Sequence, residues 1–571
     1  MQMRDFVVRF AGEGGQGVVT SAEGLAQSST RVGYHALTFA TFPSQILGGP
    51  TWTQARISVK PILSAGDDVN VLVVFNREAY DTHQSEVRDG GVIIFNSNEF
   101  KLDDDSRGFG LPIDELAKST GNNRAANMVV IGALAHLVNM PKDFLEEFVT
   151  KRFTRGRAGD DEIIRSNIEA MNLGRNHIAG TGFSLGELAP PEKPEETQIM
   201  LKGNEAICLG ALAAGLEFYA GYPISPATTV LLYMERNLVG SGKFSYQVSS
   251  EIESITALLG AGFAGKKCMT ATAGPGISLM SEGLGLAWMA EIPMVIVDVQ
   301  RGGPATGLPT KTEQSDLMSC MFPAHGDVRL PIIAVGTVEE CFYGAIKALN
   351  WAEKYQGPVI LMSEMSLAER VQNIPKPDIS KVEIENRLVY QGTNGYKRYA
   401  GFELSAMPLP GSPGAYVANG SEHDDMGDTT HLGERHIQMT QRRFSKIHLL
   451  EEDDYERDNA EASIALVPWG GSKGPTQDAY LELQKIGVDI GWYYTMFLNP
   501  LPPKMLEELR KKDLVIVPEL NYQGQFASIL RSMGVKAEAI TQYTGLPFKV
   551  RDLVTQVKDL VGAFDKEMVR A

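Results

Sequence analysis

Short apolar runs that stop at a glycine or proline and open into a helical pattern recur along this chain. That alternation limits the fold more than any other feature. DFVVRFAG leads into the turn GEGGQG and a helix over Val18–Ala26. GLEFYAG leads into YPISPATT, and PMVIVDVQ into RGGPATG. Runs of roughly four to eight apolar, β-branched residues read as buried strands, and a helix between two such runs carries the chain back so that the strands lie parallel. The sequence therefore predicts an α/β protein of three doubly wound, mostly parallel domains.

The 571 residues suit about three to four domains. The first domain is expected over 1–183, with strands at Phe6–Phe10, Val69–Phe75 and Gly91–Phe95 and a helix at Asn127–Val138. The Pro- and Glu-rich stretch ELAPPEKPEETQ places an interdomain linker at 184–200. The second domain, 201–373, alternates strands at Glu217–Ala220, Lys267–Ala271, Met294–Val299, Ile332–Ala334 and Val359–Leu361 with helices. Residues 374–458 show little periodicity and read as a long connecting segment. The third domain, 459–571, resumes the pattern with strands at Ile464–Pro468, Val488–Tyr493 and Leu514–Pro518.

The net charge of −17 argues against a nucleic-acid binder and suits steering of a basic partner. Cys208, Cys268, Cys320 and Cys341 stand far apart, with no CxxC or Cys/His cluster, so the chain carries no iron–sulfur or zinc signature. They read as reduced thiols of a cytoplasmic protein. No apolar run reaches the ~18–20 residues that cross a membrane, and no membrane partner is expected.

Several constellations carry chemistry. GEGGQG satisfies GxGxxG between a strand and a helix, but no acid ends the next strand, His35–Phe39, to hold a ribose. Three readings stand: a dinucleotide site, a coenzyme A or phosphate contact through Gly14, Gly15, Gln16 and Gly17, or a structural turn. In YPISP, two prolines fix the backbone around Ser225. Glu251 and Glu253 open a helix and cannot share a face. Arg301 follows a strong strand, and a guanidinium matches a carboxylate with two parallel hydrogen bonds. Thr310 and Lys311 lie on the same loop. His423, His431 and His436 with Asp424 and Asp425 fit no standard ligand spacing, so no metal site is read there.

Taken together, YPISP, SSEIESITALLGAG, TATAGPG and RGGPATGLPT resemble the pyrimidine-binding domain of thiamine-diphosphate-dependent 2-oxoacid:ferredoxin oxidoreductases. GEGGQGV, the Gly48-Gly49-Pro50 loop and Asn127 resemble that family's gamma subunit, which often has Arg where this chain has Leu47. PWGGSKGP, LNPLPP and PELNYQGQ resemble its transketolase C-terminal-like domain, a mainly architectural part.

The resemblance implies an alpha subunit with the gamma domain fused at its N-terminus. It implies thiamine diphosphate lined by Tyr222, Pro223 and Ile224, with Glu251 hydrogen-bonding the aminopyrimidine ring and acting as the catalytic residue. Ser225, Arg301, Thr310 and Lys311 would face the substrate. No GDG with a downstream Asn is present, so a beta subunit is implied that holds the diphosphate with Mg2+ and carries a 4Fe–4S cluster, in a heterodimer or a dimer of heterodimers. The implied reaction is coenzyme A-dependent oxidative decarboxylation of a 2-oxoacid with reduction of ferredoxin, or the reverse carboxylation. The gamma-first arrangement is most similar to the 2-oxoglutarate enzymes, which form succinyl-CoA, as in a reductive TCA cycle. Pyruvate and branched-chain 2-oxoacids stay open. So do a non-catalytic subunit that binds coenzyme A or a nucleotide, and a flavin- or NAD-linked dehydrogenase.

Overall fold

Asp5–Glu13 is buried over seven consecutive residues, as a strand covered on both faces must be. The structure, a computed structural model, describes residues 2–43, 49–192, 194–393, 395–402 and 404–570. Leu47 and Gly48 therefore lie outside the described residues. The chain divides into two compact units, 1–201 with 370–376, and 202–369 with 377–571.

In the first unit an eight-stranded sheet runs in the order Gly108–Leu111, Val87–Asn96, Val69–Val74, Asp5–Glu13, Pro50–Ser58, His35–Thr41, Val371–Pro375, Gln198–Lys202. The first four strands are parallel. Pro50–Ser58 is antiparallel to both its neighbours and separates Asp5–Glu13 from His35–Thr41, and Val371–Pro375 is antiparallel to His35–Thr41. The strands flanking the GEGGQG helix are thus not neighbours. The adjacent βαβ unit that a dinucleotide fingerprint requires is absent.

Helices Val18–Val32, Ala126–Leu137 and Asp160–Ala179 pack on this sheet. The last two cross so closely that a Cβ on Gly132 would stand 1.8 Å from Met171 O, and one on Gly174 1.9 Å from Val129 O. The stretch expected as a linker is instead bound to this unit. Glu187–Leu188 pairs with Gln2–Met3, Ala189 donates to Met3 O at 2.7 Å, and Leu188 and Ala189 are buried. Two apolar residues inside a polar stretch suffice to dock it. Val371–Pro375, at the expected end of the second domain, is a strand of this first unit.

The second unit holds two sheets. Its seven-stranded sheet runs Phe244–Gln247, Phe218–Gly221, Cys268–Thr272, Met294–Gln300, Pro358–Glu364, Ile332–Ala334, Phe497–Asn499. All neighbours are parallel except the last. That edge strand comes from the C-terminal region, so the two expected domains share a sheet. The second, five-stranded sheet is Glu456–Asp458, Gly491–Tyr494, Ile464–Leu466, Leu514–Glu519, Ala537–Thr541.

The segment read as a connection carries a helix, Gly433–Ser445, pinned by buried charge. Glu291 receives Arg442 Nε at 2.8 Å and Lys446 Nζ at 3.1 Å, with Arg398 at 3.7 Å, and the acid and both arginines are at most 1% exposed. In the same segment His423 packs on Tyr399 at 4.2 Å, while His436 and Arg443 pair with Glu422. Among the described residues no group of three or more His, Cys, Asp or Glu could hold a metal, and no helix is long and apolar enough to cross a membrane.

Candidate active site

Parallel strands of an open sheet end on one side, and loops from those ends converge. Three such loops meet in the seven-stranded sheet. The first, Tyr222 to Ala227, leaves Phe218–Gly221. The second leads from Phe244–Gln247 into helix Glu251–Phe263, and the third leaves Met294–Gln300 at Arg301.

Helix Glu251–Phe263 is capped by Ser250, whose hydroxyl accepts from Glu253 N at 3.2 Å. Ser254 Oγ donates to Ala220 O and bonds Thr270 Oγ1 at 2.8 Å, which ties the helix start to two strand ends. Spacing then separates the two acids. Glu253 points outward and accepts from Ser249 N at 2.7 Å and Oγ at 2.6 Å, which holds its carboxyl below the usual range. Glu251 faces inward and is 5% exposed. No hydrogen-bond donor or cation among the described residues reaches its carboxylate.

Arg301 is 7% exposed, and its Nη1 donates to Ser225 O at 2.6 Å while Nε has no partner. This bond joins the first and third loops, so Ser225, Arg301 and the Tyr222–Ile224 turn form one constellation. Burial lowers the Arg301 pKa, and the Asp316 charge opposes that shift. Thr310 and Lys311 sit where the third loop closes on itself. Leu308 N donates to Gly302 O at 2.8 Å, and Gly302 N donates to Lys311 O at 3.1 Å. Gly307 has φ +49°, and a Cβ there would stand 2.1 Å from Gly302 O, so this closure requires glycine. Lys311 is half-buried, and desolvation lowers its pKa.

Beneath the loop lie two acids that sequence reasoning missed. Asp298 is fully buried on Met294–Gln300 and accepts from Cys320 Sγ at 3.4 Å. Asp316 packs on Gly274, where a Cβ would stand 2.6 Å from its carboxylate. Burial first, then Asp316, push Asp298 well up. Asp316 is pushed up to about 6 by burial and Glu313, against the pull of Arg301. An acid within a run such as VDVQ carries no pattern that distinguishes it from a strand-end surface acid.

In the first unit, a cavity of about 810 Å³ opens at the glycine-rich turn and is lined by Gly15, Gln16 and Gly17. Gly17 is left-handed (φ 82°) and caps Val18–Val32 without a side-chain bond, leaving the helix N-terminus open to the cavity. Arg124, Arg152 and Arg155 line the same space, with Glu99, Asp114 and Glu162. No sequence signal marks the arginines, because they stand far along the chain from the turn, Arg124 in a short 3-10 turn, Arg152 in the last turn of a helix and Arg155 in the loop after it.

Comparison with known proteins places these features. Residues 209–442 match the family described as pyruvate flavodoxin/ferredoxin oxidoreductase, thiamine diphosphate-binding. Residues 7–177 match pyruvate ferredoxin/flavodoxin oxidoreductase. The chain is 31% identical to the 2-oxoglutarate oxidoreductase subunit KorA of Mycobacterium tuberculosis, over 96% of this chain and 90% of that one. It is 36% identical to the 2-oxoglutarate synthase subunit KorA of Methanocaldococcus jannaschii, over 60% of this chain and 93% of that one. The structure superposes with a TM-score of 0.92 on 2-oxoglutarate:ferredoxin oxidoreductase from Magnetococcus marinus, solved with 2-oxoglutarate, coenzyme A and succinyl-CoA bound. The two are 36% identical, and the match covers 98% of this chain and 100% of that one.

Proposed function

The chain belongs to the 2-oxoacid:ferredoxin oxidoreductase family as an alpha subunit, and from that premise we propose that it serves coenzyme A-dependent oxidative decarboxylation of 2-oxoglutarate to succinyl-CoA, or the reverse carboxylation. The observation that carries this reading is Glu251. It is 5% exposed, stands at the first turn of its helix, and is bound by no donor of the chain among the described residues, so its carboxylate is free to meet a ligand's ring nitrogen.

The residues fit thiamine diphosphate. Gly276 provides a side-chain-free cradle beside Glu251, where a Cβ would stand 2.9 Å from its Cγ. Tyr222, Pro223 and Ile224 are partly exposed at the rim, able to cover a ring. The cofactor supplies the carbon nucleophile and electron sink that loss of carbon dioxide requires. Glu251 then holds the proton at the ring nitrogen of the aminopyrimidine, Arg301 grips the substrate's 1-carboxylate, and Ser225 offers a hydroxyl beside it. Lys311 supplies the cation for a second carboxylate, which favours 2-oxoglutarate over pyruvate or a branched-chain 2-oxoacid, and Thr310 lines that end.

The open helix terminus with Gly15, Gln16 and Gly17, flanked by three arginines, suits a phosphate-bearing ligand, here coenzyme A, whereas Gly14 is not among the lining residues and its N–H donates to Gly49 O at 3.3 Å. A beta subunit would hold the diphosphate with Mg2+ and a 4Fe–4S cluster for one-electron transfer to ferredoxin.

The test is reconstitution with the beta subunit and an assay of viologen or ferredoxin reduction with coenzyme A. Wild type should turn over 2-oxoglutarate in preference to pyruvate and 2-oxoisovalerate. Glu251→Gln should assemble yet lose about a hundredfold or more in kcat. Full activity in that variant would leave Glu251 a structural acid and favour a non-catalytic binding subunit.

A further inference from the structure

The loop that carries Arg301 is not held by its own sheet alone. Its return limb is built into the C-terminal layer through Gln314, which is fully buried. Gln314 N donates to Leu520 O at 2.7 Å, and Leu520 N donates back to Gln314 Oε1 at 2.9 Å. Gln314 Nε2 donates to Trp469 O at 2.8 Å, and Gln314 O accepts from Asn521 Nδ2 at 3.0 Å. One residue thus makes four hydrogen bonds to two segments of the C-terminal layer, in the pattern of a strand pair closed by a side chain.

The anchor itself is rigid. Asn521 Nδ2 also donates to Glu519 Oε2 at 2.8 Å, and the fully buried Glu519 accepts from Phe526 N at 2.9 Å and Ala527 N at 3.1 Å. The helix Gln525–Ser532 is therefore capped by the same network that receives Gln314. Gln525 continues the clamp, accepting from Met318 N at 2.9 Å and donating to Ser315 O at 2.7 Å.

Two further hydrogen bonds carry that position back to Arg301. Asp316 N donates to Gln300 Oε1 at 3.3 Å, one residue before Arg301, and Gly302 N donates to Lys311 O at 3.1 Å, one residue after it. Both limbs beside Arg301 are thus tied to a segment whose place Gln314 sets.

We propose that Gln314 is a positioning residue for 2-oxoacid binding: it locks the 301–317 loop onto the C-terminal layer and thereby sets the place of the Arg301 guanidinium. This gives the C-terminal layer a role in substrate affinity beyond architecture. The proposal rests on the reading of Arg301 as the carboxylate grip. Bidentate recognition tolerates little misplacement, so loosening the clamp weakens 2-oxoacid binding before it alters chemistry or coenzyme A binding.

The experiment uses the complex reconstituted with its beta subunit. Gln314→Met keeps the side chain's length and removes its hydrogen bonds. Gln314→Glu keeps the shape and the acceptor for Leu520 N but loses the donor to Trp469 O. In both, KM for 2-oxoglutarate should rise about tenfold while kcat stays within about threefold and KM for coenzyme A within about twofold. Unchanged KM in variants that assemble overturns the proposal. So does a parallel loss in all three constants, or failure of both variants to assemble, each of which assigns Gln314 to folding. Arg301→Lys separates the two claims. If it leaves KM for 2-oxoglutarate unchanged, the grip reading fails. If it raises KM while the Gln314 variants do not, the grip stands and the positioning role falls.

Discussion

A Cβ on Gly276 would stand 2.9 Å from Glu251 Cγ and 1.9 Å from Thr272 Oγ1. The missing side chain is what leaves Glu251 its place beside helix Gly274–Ala290. Gly276→Ala should therefore displace the carboxylate or the strand end that carries Thr272. The expected outcome is a fall in kcat of about tenfold to a hundredfold and weaker thiamine diphosphate binding. Turnover and a fluorescence titration with the cofactor measure the two effects separately. A variant that binds and turns over like wild type would show the gap to be incidental.

Asp316 gives stability a pH signature. Its folded-state pKa is raised to about 6, mainly by burial, from the ordinary carboxylate value of 3.8. Between those two values the folded chain binds the proton that the unfolded chain has released. Stability contributed here is present below about pH 4 and is lost as pH rises to about 6. Asp316→Asn should remove that decline and gain about 1–3 kcal/mol at neutral pH. Thermal unfolding followed across pH 4–7, in wild type and variant, tests it. Parallel profiles would count against the assignment.

The cluster around Glu291 predicts a large loss. Glu291 faces Arg398, Arg442 and Lys446, and it adopts φ 53° at the end of helix Gly274–Ala290, a backbone cost accepted for its charge. Lys446 is lowered to about 7 by burial, against the pull of Glu291. Glu291→Gln leaves two buried guanidiniums without an anion and removes the pull that keeps Lys446 charged, and should cost about 3–5 kcal/mol. Denaturant unfolding monitored by tryptophan fluorescence reads this, and a change under about 1 kcal/mol would contradict it.

In the first unit, Arg124→Ala and Arg152→Ala should each raise KM for coenzyme A about fivefold and leave KM for the 2-oxoacid unchanged. Raising the ionic strength should weaken coenzyme A binding more in wild type than in the double variant, because the lost contacts are the screened ones. Equal salt dependence would move the phosphate contact elsewhere.

By itself the sequence determined the α/β class, the strand–helix alternation and the two places where a motif opens a helix. Those are local properties: periodicity, a capping serine before Glu251, glycines at turns. Helical spacing required only that Glu251 and Glu253 not share a face; the resemblance pointed to Glu251 as the cofactor acid, and the fold turns Glu251 inward and ties Glu253 to Ser249. Tertiary structure alone decided which strands are neighbours. Pro50–Ser58 enters antiparallel beside the first strand, Val371–Pro375 belongs to the first unit, and Phe497–Asn499 completes the seven-stranded sheet. It also decided that Gln314 meets Leu520 and Trp469, that Asp298 and Asp316 lie under one loop, and that Arg124, Arg152 and Arg155 face the glycine turn. The physical reason is common to all of these. A backbone or side-chain donor has the same local preference whichever distant acceptor it finds, and only closure of the whole chain selects the partner.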